Sequence, residues 1–422
     1  IGREVIVSGK YKLVWFFDYD NELVNKSLRC KVVEMNQGKK RSWIHIPQEI
    51  VEDILLLDLP VKSLMRFKAV SREWGKTIES KRFLERHTGI QKSLGSQLAR
   101  ILTISCETRY NGLAFDTMLF STNGISHEIS PYPPSTPLQL FEGSKFSYPC
   151  DGLLGLYSHT HMSLLNPATT CCCSLIPPIV SLTGMFLVTD KRRDYTLLGI
   201  GRENMSERRR YKVVCYFKWG DEKVGESTKC MVFALDSTTW KAVDPPHDCR
   251  VKYDHSIVHL DGVLYCFTHG GNTGSNQKKA KVLALDLHTE KFQSVSISPY
   301  IGFKYSSSNS GMRVLNHRLC IFNNKGTLLR IWGLDINMRS WEMMHSINFS
   351  GFHSPLGNRR IIPMATINNY VTITNYYHEF WGLYDYIDHT LRQTFSLGNK
   401  SSFAMPYFET LVSPYQCNLF GT

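Results

Sequence analysis

The 422-residue chain has no uninterrupted apolar run near the ~18 residues that a membrane-spanning helix needs. Its first residues, IGREVIVSGKYK, lack the charged and then apolar order of a secretion signal. We find no lipidation signal at the C-terminus. The twelve cysteines show no regular pairing, which is typical of reduced thiols rather than of a secreted disulfide framework. These absences predict a protein of the cytoplasm or nucleus with no membrane partner.

Motifs that carry catalysis are also missing. There is no Gly-x-Ser-x-Gly elbow, phosphate-binding loop or His-Glu-x-x-His helix. Cys171, Cys172 and Cys173 lie near His159 and His161, but adjacent cysteines on a strand point to opposite faces and do not converge on one metal ion. We therefore expect no enzyme activity, no metal and no cofactor. Four further cysteines are expected to be small buried hydrophobic residues: Cys215, Cys230, Cys266 and Cys320.

Acidic residues are few relative to basic ones, because 37 Asp and Glu stand against 49 Lys and Arg, which gives a net charge of +12. A nucleic-acid-binding surface would concentrate basic residues beside stacking aromatic side chains. Here the basic residues are scattered, apart from clusters at 39–41 and 208–210 that we interpret as solvated loops. The scattered distribution of the basic residues thus disfavours nucleic acid as a partner. The positive net charge is compatible with steering of an acidic target.

What the chain does contain is a compact helical block at 46–87, IPQEIVEDILLLDLPVKSLMRFKAVSREWGKTIESKRFLERH. Apolar residues at steps of three and four predict a helix from Pro47, a second from Pro60 and a third through Trp74 and Ile78. Three such helices are too small to bury their apolar groups alone. The block must therefore hold a partner or pack on the rest of the chain, and the pattern leaves both possibilities open.

The run at 46–74 resembles the F-box, and LPVKSLMRFKAV at 59–70 is similar to its plant form. Phe83 and His87 match the usual ending, whereas Asp58 stands where the family usually carries a basic residue. The resemblance implies docking to a Skp-type adaptor, and through it to the cullin scaffold of a ubiquitin ligase. The implied adaptor-binding residues, of which some will be intramolecular core, are Ile46, Pro47, Ile50, Ile54, Leu55, Leu59, Pro60, Val61, Leu64, Phe67, Val70 and Trp74.

From about Arg100 onward the chain repeats a β unit. VFALDSTTW, VLALDLHTEKF and IWGLDINMRSW place Asp236, Asp286 and Asp335 at intervals of 50 and 49 residues, and a weaker fourth copy starts at Trp381. We interpret each aspartate as a turn residue that caps backbone N–H groups rather than as a catalytic acid, and the aromatic after it as packing against a neighbouring sheet. A period near fifty predicts a β-propeller of about six blades.

Turn-and-strand units (LDGVLYCF, LNHRLCIF and INNYVTIT) alternate with these copies. Together with CDGLLGLYS from Cys150 and FETLVSP near the C-terminus, they resemble the F-box-associated domain of plant F-box proteins. Kelch repeats fit less well, because their diglycine occurs once, at Gly270 and Gly271. The fold class is therefore predicted as α+β multidomain, with a small three-helix F-box followed by an all-β, kelch-like repeat domain.

Residues 1–43 repeat part of a later blade. YKLVWFF from Tyr11 matches YKVVCYF from Tyr211, and each tyrosine is followed nineteen residues later by a cysteine, Cys30 or Cys230. We interpret the prefix as a fragment of another F-box-associated repeat, from a fusion or an artefact of gene prediction, rather than as a functional N-terminal strand. Since a lone hairpin is marginal in water, we expect it to be mobile or to add to an exposed blade edge.

The predicted domains are an N-terminal extension at 1–43, the F-box at 44–88, a linker at 89–99, the F-box-associated propeller at 100–415 and a tail at 416–422. We predict a non-catalytic substrate receptor of a Skp–cullin–F-box (SCF) ubiquitin ligase, whose propeller holds an unidentified target protein for ubiquitination. The alternatives are a propeller enzyme, a nucleic-acid-binding protein, a basic propeller module not tied to ubiquitination, and a non-functional or fused copy from a gene family.

Overall fold

The computed structural model describes the backbone of three N-terminal strands and most of the remaining chain. The described residues are 3–7, 12–21, 24–34, 56–94, 98–107, 112–121, 124–128, 144–158, 161–178, 196–204, 210–219, 227–247, 249–270, 280–298, 301, 310–337, 339–351, 360–396 and 403–415. The predicted helix from Pro47 and the predicted tail at 416–422 lie outside them. Among the described residues no helix is long and apolar enough to cross a membrane.

Three helices precede the β structure: α1 (Val61–Phe67), α2 (Arg72–Glu79) and α3 (Lys81–Leu94). The first two are the predicted helices from Pro60 and through Trp74. Trp74 and Ile78 are buried while Arg72, Glu73 and Lys76 are exposed, as the helical period requires. The third helix reaches Leu94, so most of the segment predicted as a linker at 89–99 is helical.

The strands, in chain order, are β1 (Arg3–Val7), β2 (Lys12–Asn21), β3 (Val24–Glu34), β4 (Leu98–Glu107), β5 (Gly112–Ser121), β6 (Gly124–Glu128), β7 (Lys145–Phe146), β8 (Leu154–Tyr157), β9 (Met162–Asn166), β10 (Cys171–Leu175), β11 (Thr196–Arg202), β12 (Tyr211–Trp219), β13 (Ser227–Ala234), β14 (Lys241–Ala242), β15 (Cys249–Val251), β16 (Val258–Leu260), β17 (Val263–Gly270), β18 (Ala280–Asp286), β19 (Phe292–Ser296), β20 (Ser310–Leu315), β21 (Arg318–Lys325), β22 (Leu328–Asp335), β23 (Ser340–Asn348), β24 (Ile361–Ile367), β25 (Tyr370–Asn375), β26 (Phe380–Asp385), β27 (Thr390–Ser396) and β28 (Phe403–Pro406).

After the helices, these strands form six antiparallel sheets, which confirms the predicted six-bladed propeller. Blade 1 has the order β28-β4-β5-β6, blade 2 is β7 to β10, and blade 3 is β11 to β14. Blade 4 is β15 to β19, blade 5 is β20 to β23, and blade 6 is β24 to β27. The C-terminal strand β28 pairs with β4 near the start of the repeat domain, from Phe403 opposite Ile104 to Pro406 opposite Ile101, and this pairing closes the ring.

Hydrophobic clusters lie between consecutive blades rather than within one blade. Leu102 of blade 1 packs in one cluster with Leu154 of blade 2, and Val214 of blade 3 in another with Leu283 of blade 4. Similar clusters join blades 2 and 3, blades 4 and 5, and blades 5, 6 and 1. Each blade therefore depends on both neighbours to bury its two faces.

Asp286 and Asp335 end the third strands of their blades, as predicted for turn residues, whereas Asp236 lies two residues after β13 and pairs with Arg210. The Oδ1 atom of Asp286 accepts a hydrogen bond from the backbone N–H of Thr289 at 2.7 Å, and that of Asp335 accepts from Asn337 at 2.9 Å. Asp385, in the weaker fourth copy, accepts from the N–H groups of Ile387 and Asp388. The predicted turn-and-strand units are the hairpins β16–β17, β20–β21 and β24–β25.

The three N-terminal strands form a separate sheet of order β1-β2-β3, which pairs with no described blade strand. The expected addition to a blade edge is therefore absent from the described pairing. The hairpin β2–β3 nevertheless has the same register as β12–β13, because Phe16 pairs with Cys30 as Tyr216 pairs with Cys230. The sequence repeat at Tyr11 and Tyr211 is thus also a repeat of backbone pairing.

Candidate functional site

The helices α1, α2 and α3 form one small hydrophobic core. Leu64 and Phe67 of α1 are buried against Trp74 of α2, and the rings of Phe67 and Trp74 meet edge to face at a centroid distance of 5.4 Å. The Oγ atom of Ser71, at the N-cap of α2, accepts a hydrogen bond from the Trp74 N–H at 3.0 Å. This cap fixes the start of the helix that carries the buried tryptophan.

His87 connects α3 to the segment before α1. Its ring is fully buried and its Nε2 lies 3.0 Å from the carbonyl oxygen of Leu59, so Nε2–H donates the hydrogen bond. Burial lowers the pKa of His87, and this outweighs the opposing effects of the Leu59 carbonyl and Glu409. The neutral ring therefore acts as a structural hydrogen-bond donor.

The structure separates the predicted adaptor-binding residues into three groups. Pro60 is exposed and Val70 is half-buried, so both reach the surface. Five others are buried in the chain's own core: Leu59, Val61, Leu64, Phe67 and Trp74. The remaining five lie outside the described residues: Ile46, Pro47, Ile50, Ile54 and Leu55. Adaptor contact by any of the twelve stays a prediction.

The helical core also includes two residues of the propeller. Ala168, in the turn between β9 and β10, and Leu411, after β28, belong to the same buried cluster as the helices. Asn166 connects blade 2 to the C-terminal segment, because its Nδ2 donates to the carbonyl oxygens of Thr410 at 2.9 Å and Val412 at 2.7 Å. The helices thus pack on a platform made from blade 2 and the C-terminal segment.

Asp151 is the electrostatic centre of this junction. Its carboxylate lies 2.6 Å from Nζ of Lys92 on α3 and 2.9 Å from Nη1 of Arg202 on blade 3, and it accepts a hydrogen bond from the hydroxyl of Tyr211 at 2.9 Å. Only 3% of the Asp151 side chain is exposed, so these interactions are shielded from solvent. One carboxylate therefore joins a helix to two blades.

The backbone around Asp151 is equally constrained. Asp151 and Gly152 have φ angles of 48° and 80°, which is the left-handed conformation of a tight hairpin turn. A Cβ atom at Gly152 would lie 2.6 Å from Oγ1 of Thr410, whose hydroxyl donates to the Asp151 carbonyl. Glycine is therefore required both by the turn and by the approach of the C-terminal segment.

Burial by itself would raise the pKa of the Asp151 carboxyl. The positive charges of Lys92 and Arg202, with the hydrogen bonds from Lys92 and Tyr211, outweigh burial and hold this pKa below its ordinary value. The same group raises the pKa of its cationic partner Arg202, against the effect of burial. The Asp151 carboxyl is thus ionised at neutral pH and joins Lys92 of α3 to Arg202 of blade 3.

The helices lie on one defined face of the propeller. They contact the turn that follows β7, the turn between β9 and β10, and the segment after β28. In blade 2, the first and second strands are joined by the Asp151 turn at this face, so the fourth strand of the blade ends at the opposite face.

The four cysteines predicted to be buried hydrophobic residues are buried. Cys215, Cys230, Cys266 and Cys320 are buried between blades, and burial raises the pKa of Cys230 and of Cys320 to about 12. Within the described part of the chain, no group of three or more His, Cys, Asp and Glu could hold a metal ion.

Sequence reasoning did not identify Asp151 as a junction residue. The Asp-Gly pair is typical of a tight turn, but a local pattern contains no information about Lys92 or Arg202. The only signal in the sequence is an aspartate that stands inside an otherwise apolar run. The role of Asp151 depends on residues that lie 59 positions before it and 51 after it.

Residues 122–370, more than half of the chain, match the family described as the F-box associated beta propeller domain. The chain is 27% identical over 314 residues to a putative F-box/kelch-repeat protein of Arabidopsis thaliana, covering 72% of this chain and 71% of that protein. It is 27% identical over 357 residues to an Arabidopsis thaliana F-box/LRR-repeat/kelch-repeat protein, covering 82% and 86%. A second putative F-box/kelch-repeat protein of that plant is 27% identical over 403 residues, covering 87% and 90%.

Proposed function

Because the chain belongs to the F-box-associated β-propeller family, we propose that it is the substrate-recognition subunit of an SCF-type ubiquitin ligase. The helical block docks a Skp-type adaptor, which connects the chain to a cullin scaffold. The propeller holds a target protein so that its lysines are close to the catalytic machinery of the ligase, at high effective concentration. The chain forms no covalent bond itself, and it works in the cytoplasm or nucleus without nucleic acid or membrane.

The observation that supports this role most directly is the buried junction at Asp151. A receptor must hold its target at a fixed position relative to the ligase, and a flexible tether would spread the target over many positions. Here α3 is joined to the propeller by an ion pair whose carboxylate is buried and by a shared hydrophobic cluster. The helices pack on the face that carries the Asp151 turn, which leaves the opposite face of the propeller for the target.

The adaptor test needs variants that keep the helical core intact. Aspartate at the fully buried Leu59 or Leu64 would disrupt folding, so lost binding would not identify a contact. Pro60 is a better position, because it is exposed and forms the N-cap of α1 without a side-chain hydrogen bond. Aspartate is a favoured N-cap residue, so Pro60→Asp places a charge on the surface while supporting the helix.

The experiment is co-expression of the full chain with a Skp-type adaptor, followed by size-exclusion chromatography. The wild type is expected to elute as a complex, and Pro60→Asp is expected to weaken it by about tenfold or more, which corresponds to ~1.4 kcal/mol. The matched control is Gly89→Asp, which adds the same charge on α3 where a Cβ atom meets nothing within 4 Å. Absence of any complex with the wild type would refute the receptor role and leave a basic propeller module not tied to ubiquitination.

A further inference from the structure

The centre of the propeller contains a contact between two blades on opposite sides of the ring. Arg313 lies on β20, the first strand of blade 5, and Tyr148 follows β7, the first strand of blade 2. Cζ of Arg313 is 4.8 Å from the centroid of the Tyr148 ring. Blades 2 and 5 are three positions apart in a ring of six, so this contact crosses the central channel.

The guanidinium of Arg313 is held by aromatic rings and by one backbone group. It contacts the Tyr148 ring and also the Phe322 ring, whose centroid is 5.5 Å from Cζ, and Nη1 donates to the carbonyl oxygen of Met312 at 2.8 Å. Its Nε is buried and has no hydrogen-bond partner among the described residues. No carboxylate of the described residues forms an ion pair with it.

The histidines near Arg313 are uncharged at neutral pH and do not compensate its charge. Burial lowers the pKa of His378 to about 4, and the charge of Arg313 acts in the same direction. Burial is also the main reason that His255 has a pKa of about 4, with further lowering by Lys252 and Arg313 against the opposing charge of Asp254. Arg313 itself experiences burial that lowers its pKa, opposed only by Tyr148. A cation in this position is poorly compensated by the described residues.

An uncompensated guanidinium inside a protein is costly, and planar guanidinium groups bind carboxylate and phosphate through paired hydrogen bonds. Solvent still reaches the site, because Arg313 and Tyr148 are half-buried rather than fully enclosed. Because Nη1 is bonded to the Met312 carbonyl and Nε has no partner among the described residues, an oxyanion supplies the acceptor that the guanidinium lacks. We propose that the central channel binds an oxyanion, either a carboxylate or a phosphate group, through Arg313.

The site does not depend on adaptor docking, since it lies on the inner strands of the propeller rather than on the helices. The net charge of +12 favours the approach of an anionic ligand from solution. The oxyanion can belong to a small molecule or to a side chain or terminus of a bound protein, and both present the same chemistry to the guanidinium.

The test measures anion-dependent stability and binding in the purified full chain. Thermal unfolding and titration calorimetry are performed with inorganic phosphate and, separately, with acetate, against chloride at constant ionic strength. The wild type is expected to gain Tm with at least one of the two oxyanions. Arg313→Met is expected to lose that gain and to bind the same anion about tenfold more weakly or worse, and Arg313→Lys to keep part of it. A response to phosphate alone or to acetate alone identifies the preferred group.

The matched control is Arg339→Met, because Arg339 is exposed on blade 5 and should respond as the wild type does. In chloride, Arg313→Met is expected to be at least as stable as the wild type, since it removes a buried unpaired charge. Equal responses of wild type and Arg313→Met to both anions, or no response of the wild type, would overturn the proposal. A Tm of Arg313→Met well below that of wild type in chloride would also overturn the proposal, because it would show that the guanidinium stabilises the fold without a bound anion.

Discussion

At the residue scale, two kinds of aspartate in this chain perform different tasks. Asp286, Asp335 and Asp385 each accept hydrogen bonds from N–H groups two or three residues ahead, so their work is local to one turn. Asp151 instead binds side chains of α3 and blade 3 while its own carboxylate is buried. Repetition along the chain identifies the first kind, and only burial with distant partners identifies the second.

Asp151→Asn should therefore be strongly destabilising. The substitution removes the charge that compensates Lys92 and Arg202, and removing one partner from a buried ion pair costs roughly 3–5 kcal/mol. Urea unfolding of the full chain measures the change. Asp236→Asn is the control, because Asp236 pairs with Arg210 at 3.0 Å while both side chains are about half exposed. The control should lose less than about 1 kcal/mol; similar losses in both variants would contradict a special role for the junction.

The pH dependence of stability is also set by single residues. Burial holds the pKa of His255 at about 4 in the folded chain, below the ordinary value of 6.5. A lowered folded-state pKa means that the unfolded chain binds more protons, so stability is full above about pH 6.5 and falls as pH decreases toward 4. Buried His87 and His259, whose pKa values are lowered as well, act in the same direction.

We expect the urea midpoint of wild type to decrease from pH 7 to pH 4 and to decrease less steeply in His255→Gln. His288→Gln, at an exposed position, is the matched control and should follow the wild-type curve. A profile of His255→Gln that coincides with wild type across this range would show that His255 contributes nothing to the acid sensitivity.

At the element scale, helices and blades are stabilised differently. The helices α1 and α2 are short and depend on caps and on a shared core, since an isolated helix of this length is marginal in water. The blades depend on their neighbours: Nε1 of Trp240 in blade 3 donates to the carbonyl of Ile176 beside blade 2, and Nε1 of Trp341 in blade 5 donates to Ser296 of blade 4. The predicted packing of these aromatics against a neighbouring sheet is confirmed.

The N-cap of α2 offers a direct test of the helical block. Ser71→Ala removes the acceptor for the Trp74 N–H and should cost about 1 kcal/mol in unfolding free energy, whereas Ser71→Asp should restore most of it. Ser93→Ala is the control, because that exposed hydroxyl donates to a carbonyl near the end of α3 instead of capping a helix start. Equal stability of Ser71→Ala and Ser71→Asp would mean that the cap contributes little.

At the scale of the whole molecule, the C-terminal segment has two roles. Strand β28 closes the ring by pairing with β4, and the residues after it carry Leu411 and Glu409 to the helices and to Arg100. The segment therefore connects the closure of the propeller to the seating of the helical block. A chain without it would lose both at once.

Truncation after residue 402 should abolish cooperative unfolding, because blade 1 loses its inner strand and the ring cannot close. Near-ultraviolet circular dichroism and urea unfolding measure this loss. Truncation after Tyr415 removes only 416–422 and is expected to behave as the full chain does. A cooperative transition of the shorter variant at the wild-type urea concentration would show that closure by β28 is dispensable.

Much of the fold was predictable because its signals are local. Asp236, Asp286 and Asp335 mark turns at a period that only a repeat architecture produces, and the alternation around them predicts strands. The helices at Leu64 and Trp74 follow from apolar spacing. The extension of α3 to Leu94 was missed, because Gly89 and the polar residues after His87 weaken the helical pattern although the backbone continues through them.

The sequence by itself determined the order of the domains, the repeat with a period near fifty residues and the chemistry of the turns, since each depends on patterns that recur along the chain. Only the tertiary structure decided that Leu59 and Trp74 are core, that Asp151 joins α3 to two blades, and that Arg313 meets Tyr148 across the channel. These contacts join residues far apart in sequence, and they exist only once ring closure has brought the blades together. The sequence pattern indicates which groups are buried or charged, whereas tertiary packing decides which residues compensate them.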